Sequence, residues 1–284
     1  MQACASIRGP LPGFYTIIEE EYMRNTRIHA LLLLLAVIMY ISANAQEKYA
    51  LQYNFKNNAS ITYKTERQDS IAADFRGQAF VRQMTNYMLR TMAIEQNAEK
   101  NGFSVTVKTD SAWSDGQEQG DRNMRRGRME AQKFSIDSRG TALSENTSFS
   151  LLLLPLPKNP VAVNDTWDFE AVSKTKGRRK GETTVKGNCL LYSVDEQDGD
   201  QIAVIIVNST TTGKGSFSFR AQNMEGSGTF AMSGTGTALV YFNITNGYVT
   251  EVVSEEASES VNEMNGSSSK SENKSKIETK IVTG

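Results

Sequence analysis

Apolar and polar side chains alternate along much of this chain, and that alternation limits its fold more than any other feature. The clearest stretches place apolar residues at Leu51, Tyr53 and Phe55 and at Phe103, Val105 and Val107. Successive side chains of a strand point to opposite faces of a sheet, so a period of two predicts strands with one buried face. The stretches are also rich in Val, Thr and Tyr, which strands favour.

Tight turns between these stretches predict antiparallel pairing. An Asn-Gly dipeptide at Asn101 and an Asp-Gly dipeptide at Asp198 are typical of short hairpins. The chain also contains two similar halves, since a Phe-x-Ile strand precedes a turn glycine both at Gly140 and at Gly247. We therefore predict a mainly β, antiparallel protein with at most one or two helices. Its halves form either one curved sheet, as in a half-barrel, or two adjacent sheets.

Composition divides the chain into segments. They are a first β-rich half at residues 46–150, a Leu/Pro connector at 151–166, a second β-rich half at 167–284, and within it a mobile segment at 265–276. Pro155, Pro157 and Pro160 exclude a helix interior or a central strand from the connector. We expect it to be extended and to pack against the sheet; a membrane-inserting loop is the alternative. Ser, Lys, Asn and Glu dominate the mobile segment, as in many loops.

Residues 78–100 fit two kinds of structure. They contain no Gly or Pro, and Phe80, Met84, Met88 and Met92 recur every four residues, which suits one face of a helix. As a strand, the same segment would lead directly into the turn at Asn101. Periodicity alone slightly favours the helix.

The segment at residues 23–45 has the features of a secretory signal peptide. Arg24 and Arg27 precede an apolar run at residues 30–41, which is shorter than the roughly 20 residues needed to span a bilayer. Small side chains follow at Ala43 and Ala45, as signal peptidases require. We expect cleavage after Ala45 and no transmembrane anchor in the mature chain.

The processed protein is therefore expected to begin at Gln46 and to be periplasmic or secreted. No Cys follows the apolar run, which excludes a lipid anchor on a mature N-terminal Cys. Residues 1–22 do not resemble part of a signal, and we interpret them as an upstream extension before a true start at Met23.

Histidine content excludes much catalytic chemistry. The single histidine, His29, lies within the signal, so the mature chain has no histidine for triads, general bases or His-ligated metals. Cys189 is then the one remaining cysteine, which rules out an internal disulfide and a Cys-only zinc site. The net charge of −1 gives no reason to expect nucleic acid. We predict a non-enzymatic protein without a cofactor or metal.

Several motifs have simple structural interpretations. Residues 226–231 match a dinucleotide fingerprint, but the surrounding pattern is β, where glycines mark bends rather than a phosphate loop. Residues 195–200 are acidic without calcium-loop spacing, which favours a hairpin tip. The basic clusters at 122–128 and 174–180 suit solvated loops or contacts with anionic lipids or glycans.

Several of these motifs together resemble a family of exported bacterial proteins that is known only as a domain of unknown function. They are the alternation at residues 49–55, Tyr63 with Lys64, the connector at 154–161, the Asp-Thr-Trp turn at 165–167, and the paired Phe-x-Ile…Gly turns. The family pattern has Gly before Asp-Thr-Trp where this chain has Asn164. The resemblance favours a strand from about Thr85, and the architecture is loosely similar to periplasmic lipid and lipoprotein carriers.

Two hypotheses about function follow. The first is an envelope protein that binds a lipid-like or other apolar ligand, because Met-rich faces suit adaptable apolar pockets. The residues that motivate it are Met84, Met88, Met92, Phe217, Phe219 and Phe230. The second is a structural or interaction module that binds an envelope protein or a glycan.

The signal assignment makes a direct prediction. When the full chain is expressed in a bacterium with a secretory pathway, the N-terminal sequence of the product begins with Gln46. Ala45→Leu, which places a bulky side chain in the cleavage pocket, leaves the precursor uncut. A product that begins at any residue before Gln46 would contradict the assignment.

Overall fold

The computed structural model describes residues 46–55, 60–75, 78–97, 101–116, 131–143, 149–175, 179–221, 224–264 and 267–282. By internal contacts the chain divides into two units, Met1–Glu47 and Lys48–Gly284. Gln46 and Glu47 are the described residues of the first unit, so the predicted signal and its cleavage residues Ala43 and Ala45 lie outside the described part. The second unit is described below.

Strands make up most of the second unit. They are β1 (Lys48–Tyr49), β2 (Ser60–Phe75), β3 (Gln78–Asn97), β4 (Gly102–Gly116), β5 (Gln132–Asp137), β6 (Val161–Ala162), β7 (Thr166–Thr175), β8 (Arg179–Gln197), β9 (Asp200–Ala221), β10 (Met224–Asn243), β11 (Tyr248–Met264) and β12 (Ser267–Ile281). The one helix in the described part is a 3-10 turn at Leu151–Leu153. The predicted mainly β class is confirmed.

Ten of these strands form a single curled antiparallel sheet, a half-barrel. Its order is β5-β4-β3-β2-β12-β11-β10-β9-β8-β7, and β1 pairs with β6 in a separate two-stranded sheet. Strands from both halves of the chain therefore share one sheet, which confirms the single-sheet alternative. β12 joins the halves, since it pairs with β11 on one side and with β2 on the other.

The prediction of a mobile segment at 265–276 is wrong for its described residues, because residues 267–276 belong to β12. The polar side chains of β12 make cross-strand contacts on both faces of the strand. On one face, Lys270 lies 3.3 Å from Glu259 of β11. On the other, the Ser271 and Ser260 hydroxyls share a hydrogen bond of 2.8 Å. Neighbours on both sides satisfy the backbone, so β12 needs little apolar burial of its own.

The segment at 78–100 is a strand over its described residues, so the helix that periodicity favoured is wrong. β3 begins at Gln78, earlier than the predicted Thr85. It pairs along most of its length with β2 and β4. Pairing on both sides outweighs the four-residue apolar spacing, which a strand accommodates because Met84, Met88 and Met92 share one of its faces.

The apolar core lies at one end of the sheet, on the face that we call the core face. Its largest fully buried side chains include Tyr63, Ile94, Leu191, Ile205 and Phe242. The N-terminal segment at residues 51–55 and the Leu/Pro connector cover this face.

The connector packs as predicted, since Leu153, Leu154 and Leu156 are buried in the core. The hydroxyl of Tyr53 donates to the carbonyl of Leu154 at 3.1 Å, which joins the connector to the N-terminal segment. A connector buried in this way supports the packed segment rather than the membrane-inserting loop.

The two Phe-x-Ile…Gly turns hold the N-terminal segment. Gly140 has a φ of 76° and Gly247 a φ of 68°. The amide of Tyr53 donates to the Ser138 carbonyl at 2.7 Å, and the amide of Asn54 donates to the Gly247 carbonyl at 3.2 Å. Asn164, where the resembled family has Gly, adopts a φ of 73°. Asn tolerates this left-handed conformation better than most residues.

Glycines in the second half lie beneath large side chains of the facing strands. The pairs are Phe169 over Gly187, Met232 over Gly213, Phe230 over Gly215, and Phe217 over Gly228. Residues 226–231 are part of β10 rather than of a strand–loop–helix unit. The fingerprint glycines therefore serve sheet packing, as the β context predicted.

Gly140→Ala and Gly199→Ala separate the cost of backbone strain from the cost of a steric clash. Both glycines have positive φ, but a methyl group at Gly140 would lie 2.7 Å from the Tyr53 ring, whereas at Gly199 it meets nothing within 4 Å. We expect Gly199→Ala to lower the free energy of unfolding by about 1 kcal/mol and Gly140→Ala by about 3 kcal/mol. Urea denaturation measures both. Equal losses would contradict the packing described at Gly140.

Candidate ligand-binding groove

A cavity of about 1570 Å³ runs across nine strands of the sheet. We call it the groove, and it is lined by residues 68–70, 83–85, 168–170, 186–188, 208–210, 235–237, 255–257 and 274–276 with Asp115. In three of these triplets the middle residue, Asp69, Phe169 or Ser275, is buried, while most flanking residues are exposed. The middle residues share a strand face with the core, as Met84 does with Met92 on β3 and Ser209 with Val207 on β9, so the groove lies on the core face beyond the apolar core.

The register of the sheet makes the groove one continuous band. Glu256 pairs with Gly236, Gly236 with Ser209, and Ser209 with Gly187, so equivalent residues of successive strands lie side by side. Neighbouring strands are about 4.8 Å apart, and nine strands therefore give a length of roughly 40 Å. The groove runs perpendicular to the strands and suits an extended ligand.

Uncharged hydrogen-bonding groups line the groove on three adjacent strands, β8, β9 and β10, between its centre at β11 and its β7 end. They are Asn188, Asn208, Thr210, Thr235 and Thr237. Amides and hydroxyls both donate and accept hydrogen bonds, so this band matches a ligand that carries hydroxyl groups.

Charges of both signs line the groove beside these three strands and at its β7 end. Lys274 and Lys276 lie on β12 with Glu255 on β11, and Glu170 faces Lys186 at 3.4 Å at the β7 end. Because acidic and basic groups are mixed, the groove has no strong preference for a charged ligand.

A buried carboxylate on the core face, which also lines the groove, holds three strands together. Asp69 of β2 accepts hydrogen bonds from Ser275 of β12 at 2.7 Å and from Asn86 of β3 at 2.9 Å. Arg67 donates to the same carboxylate at 2.8 Å. Burial alone would raise the pKa of Asp69, but hydrogen bonds from Arg67 and Ser275 and the charge of Arg67 hold it below its usual value.

An aromatic pair stands beside one end of the groove. Tyr87 of β3 and Trp113 of β4 are cross-strand partners whose rings stack with centroids 5.3 Å apart and planes at 15°. Thr85 and Asp115, two residues further along each strand, form the next pair on the same face and line the groove. Local desolvation raises the pKa of Tyr87, and the nearby charges of Glu66 and Asp115 raise it further.

A second cavity, of about 980 Å³, lies between the connector and β7. Its lining includes Phe149, Leu153, Pro155, Trp167 and Phe169. The rings of Phe149 and Phe169 stack 5.2 Å apart, and the Trp167 indole donates to the Pro155 carbonyl at 3.0 Å. These contacts fix the connector against the sheet.

The side chains that suggested an apolar pocket do not lie together in the structure. Met92 and Phe230 are buried by neighbouring strands, and Met88 and Phe217 are half-buried. Met84 alone of the predicted set lines the groove. The Phe219 side chain lies outside the described part of the structure.

Other predicted features have structural roles or lie outside the described residues. The thiol of Cys189 is buried, and burial followed by the charge of Asp168 raises its pKa to about 12. Asp198 and Gly199 form the predicted hairpin tip, both with positive φ. The basic cluster at 122–128 lies outside the described residues, as do residues 176–178 of the second cluster.

Sequence inspection missed the groove residues because polar positions of alternating strands look like ordinary surface. Within the described ranges, no group of three or more His, Cys, Asp or Glu side chains is placed to hold a metal ion. The same ranges contain no helix long and apolar enough to cross a membrane.

Comparisons with known proteins give only distant matches. No protein-family model matches the chain, and no curated protein matches it at a significant level. The crystal structure of Pseudomonas aeruginosa OccK2 (OpdF) in complex with glucuronate is 8% identical, with a TM-score of 0.28 over 80% of this chain and 100% of that chain. OccK8 (OprE) of the same organism is also 8% identical, with a TM-score of 0.24 over 80% of this chain and 100% of that chain. A mutant Rh. blastica porin is 8% identical, with a TM-score of 0.25 over 78% of this chain and 100% of that chain. TM-scores this low do not establish a common fold.

Asp69→Asn tests the carboxylate that joins β2, β3 and β12. The pKa of Asp69 is lower in the folded chain than its unfolded value of about 4. The ionised carboxylate therefore stabilises the fold fully above pH 4, and this stabilisation is lost as the pH falls through the folded pKa. We expect Asp69→Asn to lower the free energy of unfolding at neutral pH by about 1–3 kcal/mol. The variant should also lose less stability than the unmutated protein on acidification.

Glu259→Gln is the matched control for this experiment. It removes an exposed ion pair with Lys270 of β12, and such pairs contribute little to stability. We expect its urea denaturation curves to match those of the unmutated protein. If Asp69→Asn also matched them at every pH, the carboxylate would not be joining the strands.

Proposed function

We propose that this protein is an exported, non-enzymatic binding protein of the cell envelope, and that its groove binds an extended, hydroxyl-rich ligand such as a glycan chain. One observation carries the proposal: uncharged Asn and Thr residues of three adjacent strands line a groove that crosses nine strands. Export rests on the predicted signal at residues 23–45.

The residues that line the groove favour a glycan over the apolar ligand. A lipid-like ligand requires an unfilled apolar surface, yet Met92 and Phe230 are buried by the protein itself. A glycan offers hydroxyl groups along its whole length. Each can exchange hydrogen bonds with side chains such as Asn188, Asn208 and Thr235, which donate and accept.

A role in binding rather than catalysis is supported by the same residues. The predicted mature chain has no histidine. The buried carboxylate of Asp69 accepts hydrogen bonds from Arg67, Asn86 and Ser275, so these groups are engaged in the sheet. The part of the groove on β8, β9 and β10 carries amides and hydroxyls, which orient a ligand without activating a nucleophile.

A matched pair of double variants tests the groove. Asn208 and Thr237 are cross-strand partners in the groove, whereas Thr212 and Ser233 are exposed partners on the same strands and face but outside it. Asn208→Ala with Thr237→Ala should weaken binding of a soluble oligosaccharide about tenfold or more, since several hydrogen bonds of about 1 kcal/mol each are lost. Thr212→Ala with Ser233→Ala should leave the affinity unchanged. Isothermal titration calorimetry, after a glycan-array screen, provides the dissociation constants.

Two results would contradict the proposal. If both double variants weakened binding equally, the ligand would bind elsewhere. If no oligosaccharide bound and native mass spectrometry of protein purified from its own envelope found a lipid adduct, the apolar-ligand hypothesis would replace it.

A further inference from the structure

One line of cross-strand partners crosses the groove on the core face. Over five successive strands it runs from Gly187 through Ser209, Gly236 and Glu256 to Ser275, each residue opposite the next. All five residues line the groove. A ligand that lies across the strands in the groove therefore passes over this line.

Gly236 differs from other glycines of these strands. A methyl group added at Gly187, Gly213 or Gly215 would lie 2.3–2.7 Å from a facing Phe or Met side chain. At Gly236 the nearest atoms would be the Ser209 hydroxyl at 3.2 Å and Cγ of Glu256 at 3.5 Å. Packing within the sheet therefore does not explain this glycine. Glycine weakens a strand, and it also occurs in strands where a ligand approaches the backbone closely.

Glu256 carries an unpaired carboxylate beside Gly236. Its side chain is exposed, and its cross-strand partners, Gly236 on β10 and Ser275 on β12, have no charge. In the described part of the chain this carboxylate makes no hydrogen bond or ion pair. Asp69, the next carboxylate along the same line, is buried and accepts a hydrogen bond from Ser275 at 2.7 Å. Glu256 is thus the carboxylate of this line that remains available to a ligand.

A buried hydroxyl next to Glu256 also lacks a partner. Ser254 lies two residues before Glu256 on the same face of β11 and is 3% exposed. Its Oγ makes no hydrogen bond within the described residues, although buried hydroxyls are normally hydrogen-bonded. Two residues of a strand span roughly 7 Å, so this hydroxyl lies beside Glu256 on the core side of the groove. The sheet itself leaves both polar groups unsatisfied.

We infer that a pyranose ring of the ligand lies flat over Gly236, and that Glu256 selects this ring by accepting hydrogen bonds from two neighbouring hydroxyls. A carboxylate has two oxygens and accepts both bonds at once, and bonds to a charged acceptor are stronger than those between neutral groups. Without a side chain at Gly236, the ring approaches the backbone closely enough to reach Glu256. The Ser209 hydroxyl, which donates to the Gly236 carbonyl at 3.3 Å, is still able to accept a bond from the ring. This inference rests on the proposed glycan-binding function and names its specificity-determining residue.

Gly236→Ala tests the close approach of the ring. The fold accommodates the methyl group with a small shift of the Ser209 hydroxyl, so urea denaturation should show little change. The methyl group takes the space of the ring, and the affinity for the tightest-binding oligosaccharide of the glycan-array screen should fall about tenfold by calorimetry. Gly199→Ala adds a methyl group at a hairpin tip where nothing lies within 4 Å, and it should bind as the unmutated protein does.

Glu256→Gln tests the carboxylate. The substitution keeps the shape of the side chain but removes the charge and one acceptor oxygen, so the affinity for the same oligosaccharide should fall about tenfold. Glu259→Gln removes the same charge from an exposed residue of the same strand outside the groove, and its affinity should be unchanged. The O-methylated form of the oligosaccharide has no hydroxyl to donate. It should bind the unmutated protein and Glu256→Gln equally.

The outcomes separate the selected ring from the groove. If the oligosaccharide binds Gly236→Ala and Glu256→Gln as tightly as the unmutated protein, the inference is wrong while the glycan-binding groove stands. If Glu256→Gln and Glu259→Gln weaken binding equally, net charge is responsible and Glu256 is not the selecting residue. If no oligosaccharide binds the unmutated protein, both proposals are wrong. If a chitosan oligosaccharide, which carries ammonium groups, binds through Glu256 and neutral oligosaccharides do not, the hydroxyl assignment is wrong.

Discussion

The pairing of β12 with β2 is the constraint on which the rest of the structure depends. Twelve cross-strand partners join them, from Lys270 opposite Asp74 to Ile281 opposite Tyr63. Every other pair of neighbours in the described ten-stranded sheet is consecutive in the chain. Closing this pair brings together residues more than 200 positions apart, as in the Thr65–Thr279 hydrogen bond. Such closure costs chain entropy and slows folding, and it creates the continuous face across which the groove runs.

Local patterns predicted most of the strands but not their central member. Alternation and turn dipeptides are local signals, and they located the core residues around Tyr53 and the turn at Asp198 correctly. The Leu/Pro connector was also predictable, because prolines exclude other structures. The part of β12 at residues 267–276 was not, since it is held by pairing with β11 and β2, which composition cannot reveal. The groove was missed for the same reason: Asn208 and Thr237 become neighbours only through the register.

The two ends of the long strands differ in what holds them together. Apolar residues, the N-terminal segment and the connector stabilise the core face at one end. Beyond that core, small residues and cross-strand contacts, including those of Asp69, hold the strands. This part of the sheet also carries amides, hydroxyls and paired charges, and the register aligns these in one band. A long sheet that needs little apolar cover along its outer half is well suited to bind a polar polymer across its strands.

Hydrogen–deuterium exchange of β12, followed by mass spectrometry, tests the central claim most directly. Amides of a strand that is paired on both sides exchange through large-scale opening of the sheet. Peptides covering residues 267–281 should therefore be protected as strongly as those of β11 and β2. Exchange of these peptides within seconds, while β10 and β11 remained protected, would show that Ser267–Ile281 does not join the two halves and would contradict this account.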